Sequence, residues 1–160
     1  MIMTGTAGTG KSRTLRAIVR RRRERELANG KTEEQSAGSC ISAAPTGCAS
    51  FHMKYGATTL HRAFGLGIDY CAPTQNQRLL QERARRFRAA RLFILDEFSM
   101  IGRQMLGKLV FRVAEALRSA SREFGRDVTM GGRDLLLAGD LRQAKPLGDE
   151  AALHERPIQG

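Results

Sequence analysis

The segment Gly5-Thr6-Ala7-Gly8-Thr9-Gly10-Lys11-Ser12 constrains this chain more than any other, because it admits few local structures and one kind of ligand. It fits GxxxxGK[ST], the pattern of a phosphate-binding loop. Gly5, Gly8 and Gly10 permit backbone conformations that a Cβ would forbid, so that successive N–H groups can turn inward around phosphate oxygens. Lys11 adds a mobile cation for the outer phosphates and Ser12 a hydroxyl for Mg²⁺. The helix expected next points its positive end at the same anion. An ordinary glycine-rich strand-to-helix turn is the alternative, and the rest of the chain decides between them.

The surrounding pattern alternates strands and helices. Met1 to Thr4 reads as the end of a buried strand, with only three residues before Thr4 where about five or six are usual, so further sequence is expected upstream. Lys11 to Asn29 reads as a helix, Lys31 to Gly38 as a polar loop, and Ser39 to Ala44 as a second strand closed by Pro45. Thr46 caps a short helix running to Lys54. Gly56 to Gly67 reads as loop with a helical turn, and Asp69 to Asn76 as a connector. Gln77 to Ala90 is a basic helix, Arg91 to Glu97 an apolar strand, and Gln104 to Ser121 a helix with apolar residues at helical spacing. Phe124 to Arg133 reads as loop and Asp134 to Gly139 as a last strand. This order predicts an α/β fold of three layers around a mainly parallel sheet, incomplete at its start.

The charge narrows the partners. The net charge is +11, carried mainly by arginine, and 41% of residues are hydrophobic. Arginine's planar fork suits phosphate, which favours nucleic acid as a partner over a general solubility effect. The run Arg20-Arg21-Arg22-Arg23-Glu24-Arg25 is read as a solvated helix end. No apolar run is long enough to cross a membrane and no signal-peptide order is visible, so no membrane partner is expected and an intracellular, nuclear, location is. Cys40, Cys48 and Cys71 lack CxxC spacing, and the set Cys48, His52, His61 and Cys71 matches no familiar zinc pattern.

Asp96 and Glu97 stand at the C-terminal end of the strand Arg91 to Glu97, and such ends are where open α/β sheets hold ligands. An Asp–Glu pair often caps a strand without function, but with a phosphate loop upstream the pair suits two tasks. Asp96 orients Mg²⁺ or its water, and Glu97 orients the water that attacks the γ-phosphate of ATP. Gln143 follows the turn Gly139-Asp140; its amide can sense a phosphate, although chemistry alone favours a surface glutamine.

Five segments in this order, GTAGTGKS, AAPTGCAS (Ala43 to Ser50), TTLHRAFGL (Thr58 to Leu66), LFILDEFSMI (Leu92 to Ile101) and LLLAGDLRQ (Leu135 to Gln143), resemble the motifs of superfamily-one helicases, most closely the PIF/RecD-like DNA helicases. The resemblance implies a RecA-like domain over residues 1–145 with 146–160 as a tail, ATP and Mg²⁺ as cofactors, and ATP-driven 5′-to-3′ movement on single-stranded DNA. It implies that Lys11 and Ser12 bind phosphate and Mg²⁺, that Lys11, Asp96, Glu97 and Gln143 are catalytic, and that Pro45, Thr46, Gly47, Thr59 and His61 face DNA. Without it, His61 reads as a structural or surface residue.

The sequence departs from the family in two ways. Ala144-Lys145-Pro146 stands where Leu-Pro-Pro is usual, and Cys48 where a basic residue is common. The motifs of a second RecA-like domain, with its arginine finger, and the adenine-contacting glutamine motif are not in this sequence. The expectation is therefore the N-terminal ATPase domain of a helicase. The alternative is a nucleotide-dependent nucleic-acid-binding module without efficient hydrolysis or unwinding.

Overall fold

The computed structural model describes residues 1–67, 72–120, 129–146 and 148–150. Its centre is one parallel sheet of five strands: β1 (Ile2–Thr4), β2 (Cys40–Ala44), β3 (Thr58–Thr59), β4 (Leu92–Leu95) and β5 (Asp134–Gly139). They lie in the order β1-β5-β4-β2-β3. The register pairs Thr4 with Gly139, Leu95 with both Leu137 and Ala43, and Ala44 with Thr59, so the C-terminal ends of all five strands lie along one edge.

Among the described residues six α-helices cover the sheet: α1 (Lys11–Ala28), α2 (Glu33–Gly38), α3 (Gly47–Met53), α4 (Leu60–Phe64), α5 (Gln77–Ala89) and α6 (Arg103–Ala120). Alternation along the strands divides the core into two layers. Phe93 and Leu95 point to the side of α4, α5 and α6, where they pack with Phe64, Phe87, Leu109 and Val113. Ile94, Leu136 and Ala138 point to the other side, against Leu15 and Val19 of α1 and Met53 of α3. Phe64, Phe87 and Phe93 form a triangle with ring centroids 5.7–5.8 Å apart, and all three are fully buried. The three layers and the parallel sheet are the architecture expected from the sequence.

Two expectations need correction. Lys31 to Gly38 is not a loop: Glu33–Gly38 is helical, started by a capping box in which Thr32 Oγ1 accepts from Gln35 N and Gln35 Oε1 accepts from Thr32 N. Gly56 to Gly67 contains a strand besides its helical turn, because Thr58 and Thr59 extend the sheet beside β2. Thr59 caps α4, and Gly65 ends it in the left-handed conformation (φ 63°). The connector expected at Asp69 to Asn76 lies partly outside the described residues, as do Phe124 to Arg133 and the tail 146–160. Thr129–Gly132 of the expected loop is kinked, with Met130 (φ 55°) and Gly131 (φ 59°) in the left-handed conformation.

The arginine-rich end of α1 is more than a solvated surface. Glu26 is buried and receives Arg22 and Lys31, and its pKa is lowered chiefly by the bond from Lys31. Arg23 donates to the Tyr55 carbonyl at 2.8 Å and lies over the Tyr55 ring, tying α1 to the loop after α3. Among the described residues no helix is long and apolar enough to cross a membrane.

Candidate nucleotide and nucleic-acid site

The loop Gly5 to Ser12 leaves β1 at the C-terminal edge of the sheet and is stitched to the neighbouring strand, with Gly5 N donating to Gly139 O at 3.3 Å. Gly8 (φ 79°) and Gly10 (φ 88°) adopt the left-handed conformation that turns successive amides inward. Gly5 does not, contrary to the reading of all three glycines alike. Its missing Cβ instead leaves room for Thr9, whose Oγ1 would lie 2.7 Å from that atom. Thr9 Oγ1 donates to Thr6 O at 2.8 Å, which closes the loop on itself. Gly10 is the cap of α1 and has no side chain, so the first-turn amides of this 18-residue helix are left for an external acceptor. Lys11 Nζ donates to Gly5 O at 2.5 Å and Thr6 O at 2.9 Å.

β5 lies between β1 and β4, so the loop and the acidic pair flank the end of β5. Asp96 is buried, its Oδ1 accepting from Glu97 N at 2.9 Å, while its own N–H continues the sheet to Ala43 O. Burial pushes its pKa up, against the bond from Glu97 and the nearby Lys11 charge. Glu97 has φ 53°, a left-handed backbone that is strained for a side chain of this size. Its pKa is raised by burial, then by Asp96, and also by Asp140, with Lys11 opposing. Glu97 Oε2 is buried with no hydrogen-bond partner among the described residues. A desolvated carboxylate oxygen without a donor, together with an uncapped helix N-terminus and a lysine, is the arrangement a phosphate, a divalent cation and a water would complete.

Asp140 is, after Asp96, a second buried carboxylate at this edge, and its residue type and position alone did not mark it. Its Oδ1 accepts from Arg142 N at 2.9 Å, and its carbonyl accepts from Gln143 N at 3.1 Å. Its position at the C-terminal end of an apolar strand is the signal that it shares with Asp96. Gln143 is exposed on the turn that Asp140 holds.

The other candidates lie farther along the same edge, after β2 and β3. Thr46 Oγ1 accepts from Ala49 N at 3.2 Å and Thr59 Oγ1 from Arg62 N at 3.4 Å, so each hydroxyl caps a helix and keeps its proton for an external acceptor. Gly47 opens α3, Thr46 and His61 are exposed, and Pro45 and His61 line one small cleft with Met100, Pro146 and Asp149. Among the described residues no group of His, Cys, Asp and Glu side chains suits a metal ion by itself, and Cys71 lies outside them.

The family model described as PIF1-like helicase matches residues 1–157. The chain is 31% identical over 162 aligned positions to the ATP-dependent DNA helicase PIF1 of Xenopus laevis, covering 100% of this chain and 22% of that protein. It is 32% identical over 147 positions to the ATP-dependent DNA helicase RRM3 of Saccharomyces cerevisiae, covering 90% and 18%. Among solved structures, Pif1 helicase from Candida albicans aligns with a TM-score of 0.68 at 28% identity, over 95% of this chain and 32% of that one. Bacteroides Pif1 bound to ssDNA aligns with a TM-score of 0.67 at 26% identity, over 92% and 30%. Pif1 from Bacteroides in complex with ADP-AlF3 and ssDNA gives 0.66 at 26%, over 91% and 29%. The chain thus spans about a fifth of the length of the curated relatives it matches.

Proposed function

We propose that this chain, which belongs to the PIF1-like helicase family, works as the ATP-binding and strand-contacting domain of an ATP-dependent DNA helicase. One observation carries the reading: the glycine loop with its uncapped helix and the pair Asp96–Glu97 flank one strand end, with Lys11 acting electrostatically on both carboxylates. The amides from Gly8 to Ser12 and the Lys11 ammonium receive the β- and γ-phosphates of ATP. Ser12 and Asp96 hold Mg²⁺, which when bound neutralises charge on the phosphates.

Glu97 accepts a hydrogen bond from the attacking water and sets it in line with the γ-phosphorus. Its raised pKa brings it nearer to the working pH as a proton acceptor. The Gln143 amide contacts the γ-phosphate, and the turn at Asp140 fixes its place. Thr46 and Thr59 donate hydroxyl protons, and Gly47 and His61 N–H groups, to the backbone of single-stranded DNA packed beside Pro45. Such contacts hold a strand without reading its sequence, as movement along it requires. A DNA motor of this kind works inside the cell at its DNA, which in a eukaryotic cell places it in the nucleus.

The test is titration of a fluorescent ATP analogue with Mg²⁺ into the chain and its Lys11→Ala variant, followed by hydrolysis with and without single-stranded DNA. The parent binds nucleotide, and the variant binds it about 10- to 100-fold more weakly. Turnover by these 160 residues alone is slow, because no residue assigned here serves as an arginine finger, a group worth on the order of 10³ to 10⁵ in rate. Absence of nucleotide binding by the parent, or robust strand separation by this chain alone, overturns the reading.

A further inference from the structure

The chain carries a second basic surface, away from the strand ends. Helix α5 holds Arg78, Arg83, Arg85, Arg86 and Arg88 against a single acidic residue, Glu82. Its apolar stripe, Leu80, Ala84 and Phe87, is buried against the core, so its arginines fall on the remaining faces. Between α2, α4 and α5 runs a groove of about 830 Å³ lined by Arg62, Arg83, Arg85 and Arg86, with Glu34 and Glu82 also on its walls. On the other flank of the same helix, Arg85 and Arg88 line a second hollow with Gln81 and Ser119. Arg85 therefore stands on the ridge between two concavities.

These charges are not spent inside the protein. Among the described residues Arg62, Arg85, Arg86 and Arg88 take part in no ion pair, and Glu82 is paired with Arg78. Arg83 is held by Thr74 Oγ1 at 2.9 Å and Gly65 O at 3.2 Å. Burial and the Arg83 charge both lower the pKa of Arg86, so like charges are pressed together. A surface of this kind lacks anions. Resting on the nucleic-acid reading above, we propose that the α5 ridge and its groove bind the phosphate backbone of duplex DNA adjoining the single strand held at Thr46, Thr59 and His61.

Two observations favour a duplex. First, among the described residues no aromatic side chain lines either concavity. Aromatic side chains that stack on bases commonly add to the hold on a single strand, whereas sequence-independent binding of a duplex is supplied almost entirely by its phosphates. Second, Arg78, Arg85 and Arg88 recur at helical spacing along α5, and ten residues of helix rise about 15 Å. That length matches roughly four phosphates of one strand at about 3.4 Å each along a duplex axis. Arg62 follows His61 directly in α4 and lines the groove, so the two surfaces are continuous.

The test is the salt dependence of binding, by fluorescence anisotropy, to a blunt duplex of about 20 base pairs and an oligothymidine of about 20 nucleotides. Parent, Arg85→Ala/Arg88→Ala and Arg85→Lys/Arg88→Lys chains are compared, with thermal melting and nucleotide binding as checks that the variants stay folded. Each phosphate contact contributes about 0.9 to the slope of log K against log salt on duplex DNA. The alanine pair lowers the duplex slope by about 1.8, the lysine pair restores it, and the oligothymidine slope stays as in the parent. A duplex slope unchanged by the alanine pair, or a loss confined to the oligothymidine, overturns the proposal. If the parent binds oligothymidine but not duplex, the proposal alone falls; if it binds neither, the nucleic-acid reading falls with it.

Discussion

Lys11 Nζ lies 2.5 Å from the carbonyl oxygen of Gly5, so the lysine at the start of α1 is folded back onto the first residue of its own loop. The bond holds the ammonium over the loop opening with no carboxylate partner among the described residues. A phosphate entering the loop exchanges two neutral carbonyl acceptors for an anion, and bonds to charged groups are the stronger kind.

Lys11→Ala is expected to weaken nucleotide binding by about 10- to 100-fold, since a hydrogen bond to a charged group is worth about 1.5–3 kcal/mol. The fold changes little, because the side chain is only half-buried and its bonds are local to the loop. Titration of a fluorescent nucleotide, with thermal melting alongside, checks both halves. A drop in melting temperature as large as the loss of affinity would mean that Lys11 holds the loop together instead.

Glu97 trades stability for chemistry. Its folded-state pKa is raised by burial and by Asp96 and Asp140, so the charged form is disfavoured in the fold. The resulting penalty is absent below the ordinary carboxylate range, where both states are protonated, and complete above the raised pKa. Glu97→Gln is therefore expected to melt higher than the parent at neutral pH, with the gap closing as pH falls through that window. The same variant binds nucleotide but loses hydrolysis, by the 10²–10⁴-fold a proton acceptor typically contributes. Equal melting temperatures at neutral pH would remove the electrostatic part of this account.

The interior of the α4–α5–α6 layer holds a polar network that joins the segment after α4 to two helices. Glu115 accepts from Thr74 N and from Thr74 Oγ1 at 2.9 Å, and Arg112 donates to Glu115 and Thr74, each at 3.0 Å. Burial pushes the Glu115 pKa up, but the bonds from Thr74 and Arg112 outweigh it and leave it below the ordinary value. Glu115→Ala leaves Arg112, itself buried, without its carboxylate, and is expected to cost roughly 3 kcal/mol. Because the pKa is depressed, the contribution is present at neutral pH and is lost as pH falls through the folded-state value. Denaturant titrations of parent and variant at neutral and acid pH measure the difference, which shrinks at the lower pH.

Local patterns were the legible part of this molecule. Thr46 was readable as a cap because its hydroxyl bonds three residues away. The loop Gly5 to Ser12 and the ends of β4 and β5 stood out because their chemistry lies in contiguous residues. The insertion of β5 between β1 and β4 was not legible, since parallel strands pair across crossovers that no periodicity records. Nor was β3, where two residues are too few for a period, nor Asp140, whose effect on Glu97 exists only once β4 and β5 are neighbours. The Thr74–Glu115 pair spans 41 residues, and α2 was missed although Thr32 and Gln35 spell its capping box.

The start of α6 depends on a residue still farther away in sequence. Asp149 Oδ2 accepts from Gln104 N at 3.0 Å and Met105 N at 3.3 Å, and Arg103 N donates to Glu150 O at 2.8 Å. A carboxylate on first-turn amides meets the positive end of the helix dipole, and its loss costs about 1 kcal/mol in a typical cap. A Cβ on Gly102 would fall within 2.0 Å of the same carboxylate, so the glycine makes room for the cap. Asp149→Ala is expected to lower stability by about 1 kcal/mol and Asp149→Asn by less, because the amide oxygen still accepts. Gly102→Ala expels the cap and adds a clash, so it costs more than Asp149→Ala, and in the Asp149→Ala background its penalty shrinks. Chemical denaturation of the four chains checks this coupling; additive effects at these two touching positions would show that the cap does not depend on the glycine.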